Sequence, residues 1–378
     1  MGNTIARSAT LAAALFACLA TTSSAQPAAA PRRTENVILV VIDGVRWQEV
    51  FGGADSLLLF ADPKILGDDS ADVRRAFWHA DVTQRRKLLF PFLWDVVGAS
   101  GQLFGSESGK VLVRNGLNFS YPGYNEMLTG FPDRRIDSNE HGPNENVSIF
   151  EWTAKQPGFA GRVAAFGTWG VFADIFNRQR SGLYVRAGWE PPYPSPRNAL
   201  DSLQNRLYAT TFREWGDNAY DSFTHEVAMR YLREHRPPPR LLFIGYGETD
   251  EWAHDGRYDR YLRAARQVDA YLEEIWRTVQ GIPQYRGKTT LIVTTDHGRG
   301  ESATDWTNHG KDVSGAERAW IGVLGRDTPS HGERNTASVT QSQIAATVAA
   351  LLGLDYRKAV RKADAPIDVF TACATCRN

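Results

Sequence analysis

Cysteine is scarce in this sequence, with three residues among 378. That is too few for a disulfide framework, so a chain of this length has to rely on a packed core. An excess of either charge is also missing, because 43 Lys and Arg face 43 Asp and Glu. The balance argues against a nucleic-acid-binding surface, which usually shows as a basic excess. No window beyond the N-terminal segment is long and apolar enough for a transmembrane helix. Internal repeats are absent as well. What remains, 42% hydrophobic and 23% charged, is ordinary globular composition and excludes wholesale disorder. Eleven Trp and thirteen Tyr point toward an aromatic-lined cleft. The length suits two domains or one large α/β domain with insertions.

Residues 1–25 have the pattern of a secretory signal. Arg7 supplies a short positive region, Leu11 to Ala20 is apolar, and Ser23-Ser24-Ala25 offers a small-x-small cleavage site. A lipoprotein signal is the alternative, with Cys18 after Leu15-Phe16-Ala17, but Phe16 fits it poorly. Residues 26–35 follow as a linker that begins Ala/Pro-rich, and 36–378 are expected to form a single catalytic domain. The mature protein is then expected in the periplasm or outside the cell. Cys373 and Cys376 would remain, near the C-terminus, where a disulfide closes only a small loop.

Val37–Ile42, Leu241–Tyr246 and Thr289–Thr295 are continuous β-branched or apolar runs of the kind buried on both faces of a parallel sheet. Arg162–Phe166 is a weaker fourth strand and Val111–Val113 a fifth. Leu89–Val97, Asp217–His235, Tyr258–Val279 and Gln341–Leu352 have helical spacing. The alternation predicts an α/β fold, a doubly wound and mostly parallel central sheet flanked by helices. Such sheets bind ligands beyond the carboxyl ends of their strands.

Acids and histidines gather at those ends. Asp43 follows the first strand, Asp250 and His254 follow Leu241–Tyr246, and Asp296-His297 closes Thr289–Thr295, with His309 shortly beyond. Each piece alone is an ordinary cap, turn or solvated pair. Together they offer carboxylate oxygen and imidazole nitrogen, donors that suit zinc or manganese.

The set resembles the alkaline phosphatase superfamily, in particular its nucleotide pyrophosphatase/phosphodiesterase-like branch. The residues that carry the resemblance are Asp43-Gly44, Ser120 in Phe119-Ser120-Tyr121-Pro122-Gly123, Asp250 with His254, Asp296-His297-Gly298 and His309-Gly310. They span about Asn36 to Leu352 in the family's order. The resemblance implies a hydrolase with two divalent ions, zinc before manganese. One ion would be held by Asp43, Ser120, Asp296 and His297, the other by Asp250, His254 and His309. It also implies a phosphoseryl intermediate on Ser120, which is expected to cap a short helix whose N-terminus faces the phosphate.

Ser120 and Gly123 depart from that branch, which commonly has Thr and, three residues later, Asn. Its phosphate-contacting Asn corresponds to either Asn139 or Asn144. Sulfatases share the fold but need a C/S-x-P-x-R core, and Tyr124 stands where the arginine belongs. A sulfatase, or a secreted protein that binds metal without catalysis, is the alternative. The phosphate ester is a small molecule, either a diester or a monoester. Thr168–Phe176, with Trp169, offers an aromatic wall for a diester, and Trp252 is another candidate wall. Arg178 and Arg180 offer cations for a monoester.

Overall fold

Seven consecutive buried residues, Asn36–Ile42, form β1 at the centre of the main sheet. The computed structural model describes residues 1–2, 33–335 and 338–370. Most of the expected signal segment, and Cys18, Cys373 and Cys376, lie outside them. In chain order the other strands are β2 (Gln102–Phe104), β3 (Val111–Leu112), β4 (Val163–Gly167), β5 (Tyr184–Ala187), β6 (Leu241–Tyr246) and β7 (Thr289–Thr294). The last four are β8 (Arg318–Ala319), β9 (Ile321–Leu324), β10 (Gly332–Glu333) and β11 (Val339–Thr340).

The large sheet runs β10-β2-β9-β7-β1-β6-β4-β5. β1 pairs in parallel with β6 on one side and β7 on the other, and β4 and β5 continue the parallel block. β9 lies antiparallel to β7. A small sheet joins β11, β3 and β8.

Alternation along β1 explains the layering. Ile38, Val40 and Ile42 enter one hydrophobic core, and Val37, Leu39 and Val41 enter the other. The first core is closed by α2 (Asp221–Glu234) and α4 (Tyr258–Gly281). The second is closed by α1 (Ser120–Thr129) and α5 (Gln343–Leu351). A short α3 (Glu248–His254) follows β6 directly. A sheet buried on both faces has no polar face, which is why its strands read as unbroken apolar runs.

Three expectations shift. Val111–Val113 contributes β3 to the small sheet rather than a strand to the large one. The expected Leu89–Val97 helix is split: one helix, Val82–Leu89, stops ahead of Pro91, and a wide turn covers Leu93–Val97. Asp269 on α4 fills the break, accepting the Phe92 and Leu93 N–H groups at 2.8 and 2.9 Å. The Asp217–His235 helix begins only at Asp221, which leaves Asn218 extended and bridged to Trp169.

Candidate active site

The carboxyl ends of β1, β6 and β7 bring the acids together. Asp43 leaves β1, with its carbonyl held by the Thr249 hydroxyl at 2.6 Å. Its Oδ2 accepts the Tyr124 hydroxyl at 3.0 Å. Asp296 leaves β7 and accepts the Gly44 N–H through Oδ1 at 3.2 Å. Gly44 has φ +61, and a Cβ there would lie 2.5 Å from Asp250 Oδ1. Only glycine lets the chain turn this tightly against a second carboxylate.

The imidazoles are oriented by backbone carbonyls. His297 Nδ1 sits 2.9 Å from the Gly298 carbonyl and His309 Nδ1 3.2 Å from the Asn118 carbonyl. Each carbonyl fixes the proton on Nδ1, so the Nε2 lone pairs face the cluster. His297 Nε2 lies 3.3 Å from Asp43 Oδ1, 3.5 Å from Asp296 Oδ2 and 3.9 Å from Asp250 Oδ1. His254 Nε2 lies 3.2 Å from Asp250 Oδ2 and 3.0 Å from His309 Nε2. Asp43, Asp296 and His297 thus form one group of converging donors, and Asp250, His297 and His309 another.

Two features fit a cation. Asp43 Oδ1 and Asp296 Oδ2 are buried without a hydrogen-bond partner. The converging carboxylate oxygens and imidazole nitrogens are also the donor types that a divalent cation takes up. The donor set contains no thiolate, which suits zinc or manganese.

Ser120 opens α1 as its first helical residue, with Phe119 in the cap position expected for the serine. Its Oγ is 3.3 Å from His297 Nε2. The helix end is a poorer anion cradle than expected, because Asn139 Oδ1 takes the Tyr121 N–H at 3.0 Å and Pro122 has none. That bond also orients Asn139, whose Oδ1 is used and whose Nδ2 is left to donate. Gly123 brings α1 close to β7, since a Cβ there would lie 2.5 Å from the Asp296 carbonyl.

Glu126 on α1 ties down the chain before the serine, accepting the Arg114 and Asn115 N–H groups at 2.9 and 2.8 Å. Burial pushes its carboxyl up to about 7 against those bonds. Glu126→Ala leaves buried donors unpaired. It is expected to cost about 3 kcal/mol, read as a lower denaturant midpoint with the slope unchanged. An unchanged midpoint would show that the 114–118 turn holds without it.

Charge is unevenly shared in the cluster. Burial, then the neighbouring Asp250, holds the Asp43 carboxyl well above the usual range. Burial and then Asp43 do the same to Asp296. Burial also works upward on Asp250, but the Arg299 guanidinium outweighs it with help from His254 and His309, and holds that carboxyl well below the ordinary value. Burial and then His297 push His309 down to about 2, which keeps it neutral and able to ligate. Arg299 was not singled out in the sequence, although it directly follows Asp296-His297-Gly298. Asn218, Glu251 and Tyr124 were also missed as site residues. Nothing in their sequence context marks them except that Glu251 adjoins Asp250.

A cavity of about 210 Å³ opens at this point. Asp43, Ser120, Asp250, His254 and His309 line it together with Asn139, Trp169, Asn218, Gly247 and Glu251. Among the described residues no lysine or arginine lines it. Asn144 lies outside it, buried and bonded to Asn125 and Asn146. Phe172 and Phe176 pack on Phe243 in the core, so Trp169 alone of the aromatic segment Thr168–Phe176 reaches the cavity. Trp252 packs against Trp215 instead. Arg178 is paired with Glu190, and Arg180 with Glu151, away from the cavity. A larger cavity beside β5 contains none of these groups, and its Arg230 is bonded to Asp201, Gln204 and Glu234.

Comparison with known proteins bears on this geometry. Residues 225–356, which hold Asp250, His254, Asp296, His297 and His309, match the model of the metalloenzyme superfamily. No curated protein matches the chain. Among solved structures, phosphonate monoester hydrolase from Silicibacter pomeroyi is similar at 13% identity and TM-score 0.53, over 91% of this chain and 78% of that one. Murine ectonucleotide pyrophosphatase/phosphodiesterase 5, in an inactive form with AMP, is similar at 11% identity and TM-score 0.50, over 85% and 96%. A 2-O GAG sulfatase is similar at 11% identity and TM-score 0.50, over 85% and 71%. No helix among the described residues is long and apolar enough to cross a membrane. The chain thus has an alkaline phosphatase-like α/β fold, and its residues 225–356 are similar to the metalloenzyme superfamily.

Proposed function

We propose that this chain is an exported metal-dependent phosphodiesterase that acts through Ser120. The observation that carries the reading is the cavity itself, where a serine hydroxyl, three carboxylates and the imidazoles meet and, among the described residues, no lysine or arginine side chain enters. A monoester dianion needs cations on its extra oxygen. Arg178 and Arg180 are both committed to glutamates elsewhere. A sulfatase needs an arginine at Tyr124, and that side chain is buried against Asp43. The signal-like N-terminus supports export to the periplasm or beyond the cell.

Asp43, Asp296 and His297 with Ser120, and Asp250, His254 and His309, would hold two divalent ions. Such ions supply positive charge that lowers the serine pKa and balances charge on the attacking and leaving oxygens. Ser120 Oγ, as its alkoxide, attacks phosphorus. The O–P bond forms as the bond to the first alcohol breaks, and that alcohol leaves with a proton. Asn139 Nδ2 donates to a non-bridging oxygen and fixes the phosphate's orientation. Water then cleaves the phosphoserine, freeing Ser120 and releasing a phosphomonoester. The second ester group stays against Trp169, Asn218 and Glu251 throughout.

A nitrophenyl panel tests this reading. The bis-nitrophenyl phosphate diester is expected to exceed both the phosphate monoester and the sulfate ester in kcat/KM by about a hundredfold. Exhaustive chelation should bring turnover to background, and zinc, or failing that manganese, should restore it. A faster sulfate ester, or full activity after chelation, would overturn the assignment.

A further inference from the structure

We propose that the retained alcohol of the substrate is small and carries an ammonium group, recognised by Glu251, Asn218 and Trp169. The inference rests on the phosphodiester reading and narrows it. Size comes first. At about 210 Å³ the cavity lies below the span of about 300–1,000 Å³ usual for larger ligands. It suits a phosphate with a short alcohol, and a nucleoside would have to project outside.

Charge comes second. The cavity lining includes a further carboxylate besides those of the aspartates, that of Glu251. Two divalent ions would offset the three aspartates, and a further carboxylate beside them favours a substrate that itself carries a positive charge. Its hydrogen-bond partner is the Asn218 amide, a neutral group.

Hydrogen-bonding capacity comes third. Asn218 spends its Nδ2 on Glu251 Oε1, so its remaining polar atom is an acceptor. Asn218 Oδ1 and Thr168 Oγ1 are buried with no partner. A Cβ at Gly247 would sit 3.2 Å from the first and 2.7 Å from the second, so the glycine leaves room for both oxygens next to the cavity lining. Trp169 adds an aromatic surface, which binds alkylammonium groups through its π cloud. A carboxylate, an amide oxygen and an indole together recognise an organic cation and offer a neutral alkyl group much less.

The test compares nitrophenyl phosphocholine with its dimethylbutyl analogue, in which carbon replaces the quaternary nitrogen. The charged ester is expected to win in kcat/KM by about tenfold or more, and Glu251→Gln should bring the ratio toward one. Phosphocholine should also bind more tightly than inorganic phosphate in calorimetric titration, and less so in that variant. This binding readout does not depend on turnover. Equal rates for the two esters, or a ratio unchanged by Glu251→Gln, would overturn the proposal while leaving the phosphodiesterase intact. Failure to cleave either ester or the bis-nitrophenyl diester would instead remove the reading beneath it. Soluble glycerophosphocholine and phosphatidylcholine vesicles separate the sources of the group. Cleavage of the soluble diester supports a free small substrate, and cleavage confined to vesicles supports a lipid headgroup. Cleavage of neither overturns the assignment of the ammonium alcohol.

Discussion

Ser120→Ala is expected to lower kcat by about 10³-fold or more against any phosphate ester the enzyme turns over. Among the described residues the hydroxyl is the only candidate nucleophile side chain lining the cavity, and it lies 3.3 Å from His297 Nε2 at the open end of α1. Alanine removes the atom that bonds to phosphorus and leaves the helix unharmed, since alanine is a good helix former. Thermal stability should therefore stay close to that of the parent. A rapid-quench experiment adds a sharper reading. The parent should release a burst of nitrophenol as the serine is phosphorylated, and the variant should release none. A variant with near-parental kcat would remove Ser120 from the chemistry and leave it as an ordinary first-turn residue. Asp43→Asn should show a loss of the same kind, because the Oδ1 now unpartnered in the cluster would become an amide or lose its charge.

The parts of the fold legible in the sequence are those where one physical demand dominates. β1, β6 and β7 are buried on both faces, so their residues had to be apolar throughout and were read almost to the residue. The clustering of the acids and imidazoles was legible for a related reason: they fall where such strands must end. The short strands β8, β10 and β11 were not read. Two-residue pairings are set by what they meet in space and carry no periodicity of their own. The same holds for Asn139, Asn218 and Glu251 in the cavity lining. Asn218 looked like the start of a helix, yet it is held extended by its bridge to Trp169. Asn139 and Asn144 were equivalent in sequence. A single hydrogen bond from Tyr121 to one of them, and burial of the other among asparagines, separates them in space. Glu251 looked like any surface acid beside Asp250 until the cavity was seen to include it.

Arg299→Met is expected to destabilise the metal-free protein by about 3–5 kcal/mol, the usual cost of stranding a buried charge. Arg299 is fully buried and bridges the segments that carry the ligands. It follows Asp296 and His297 in the chain. Its Nη2 donates to the Asp250 carbonyl at 3.0 Å and to Asp250 Oδ1, and its Nη1 donates to the Thr307 carbonyl at 2.6 Å, two residues before His309. Without it Asp43, Asp250 and Asp296 share one buried space with no guanidinium. The pH dependence follows from the sign of each shift. In the parent, Asp250 is held below its ordinary 3.8, so its contribution is present above 3.8 and is lost as pH falls through the lower folded value. In the variant Asp250 joins Asp43 and Asp296 as a raised carboxyl. The folded variant then binds protons more tightly than its unfolded chain, and its stability rises as pH falls from neutral toward 3.8. The gap between parent and variant should therefore narrow from pH 7 to about pH 5. Denaturant melts of the chelated proteins at the two values measure it. Arg299→Lys keeps the charge but not the fork that reaches both Asp250 and Thr307. It should recover part of the stability and little of the turnover, because the loop bearing His309 is no longer tied to Asp250. Equal stability of parent and Arg299→Met in the absence of metal, at both pH values, would show that the acids are neutralised by some other means.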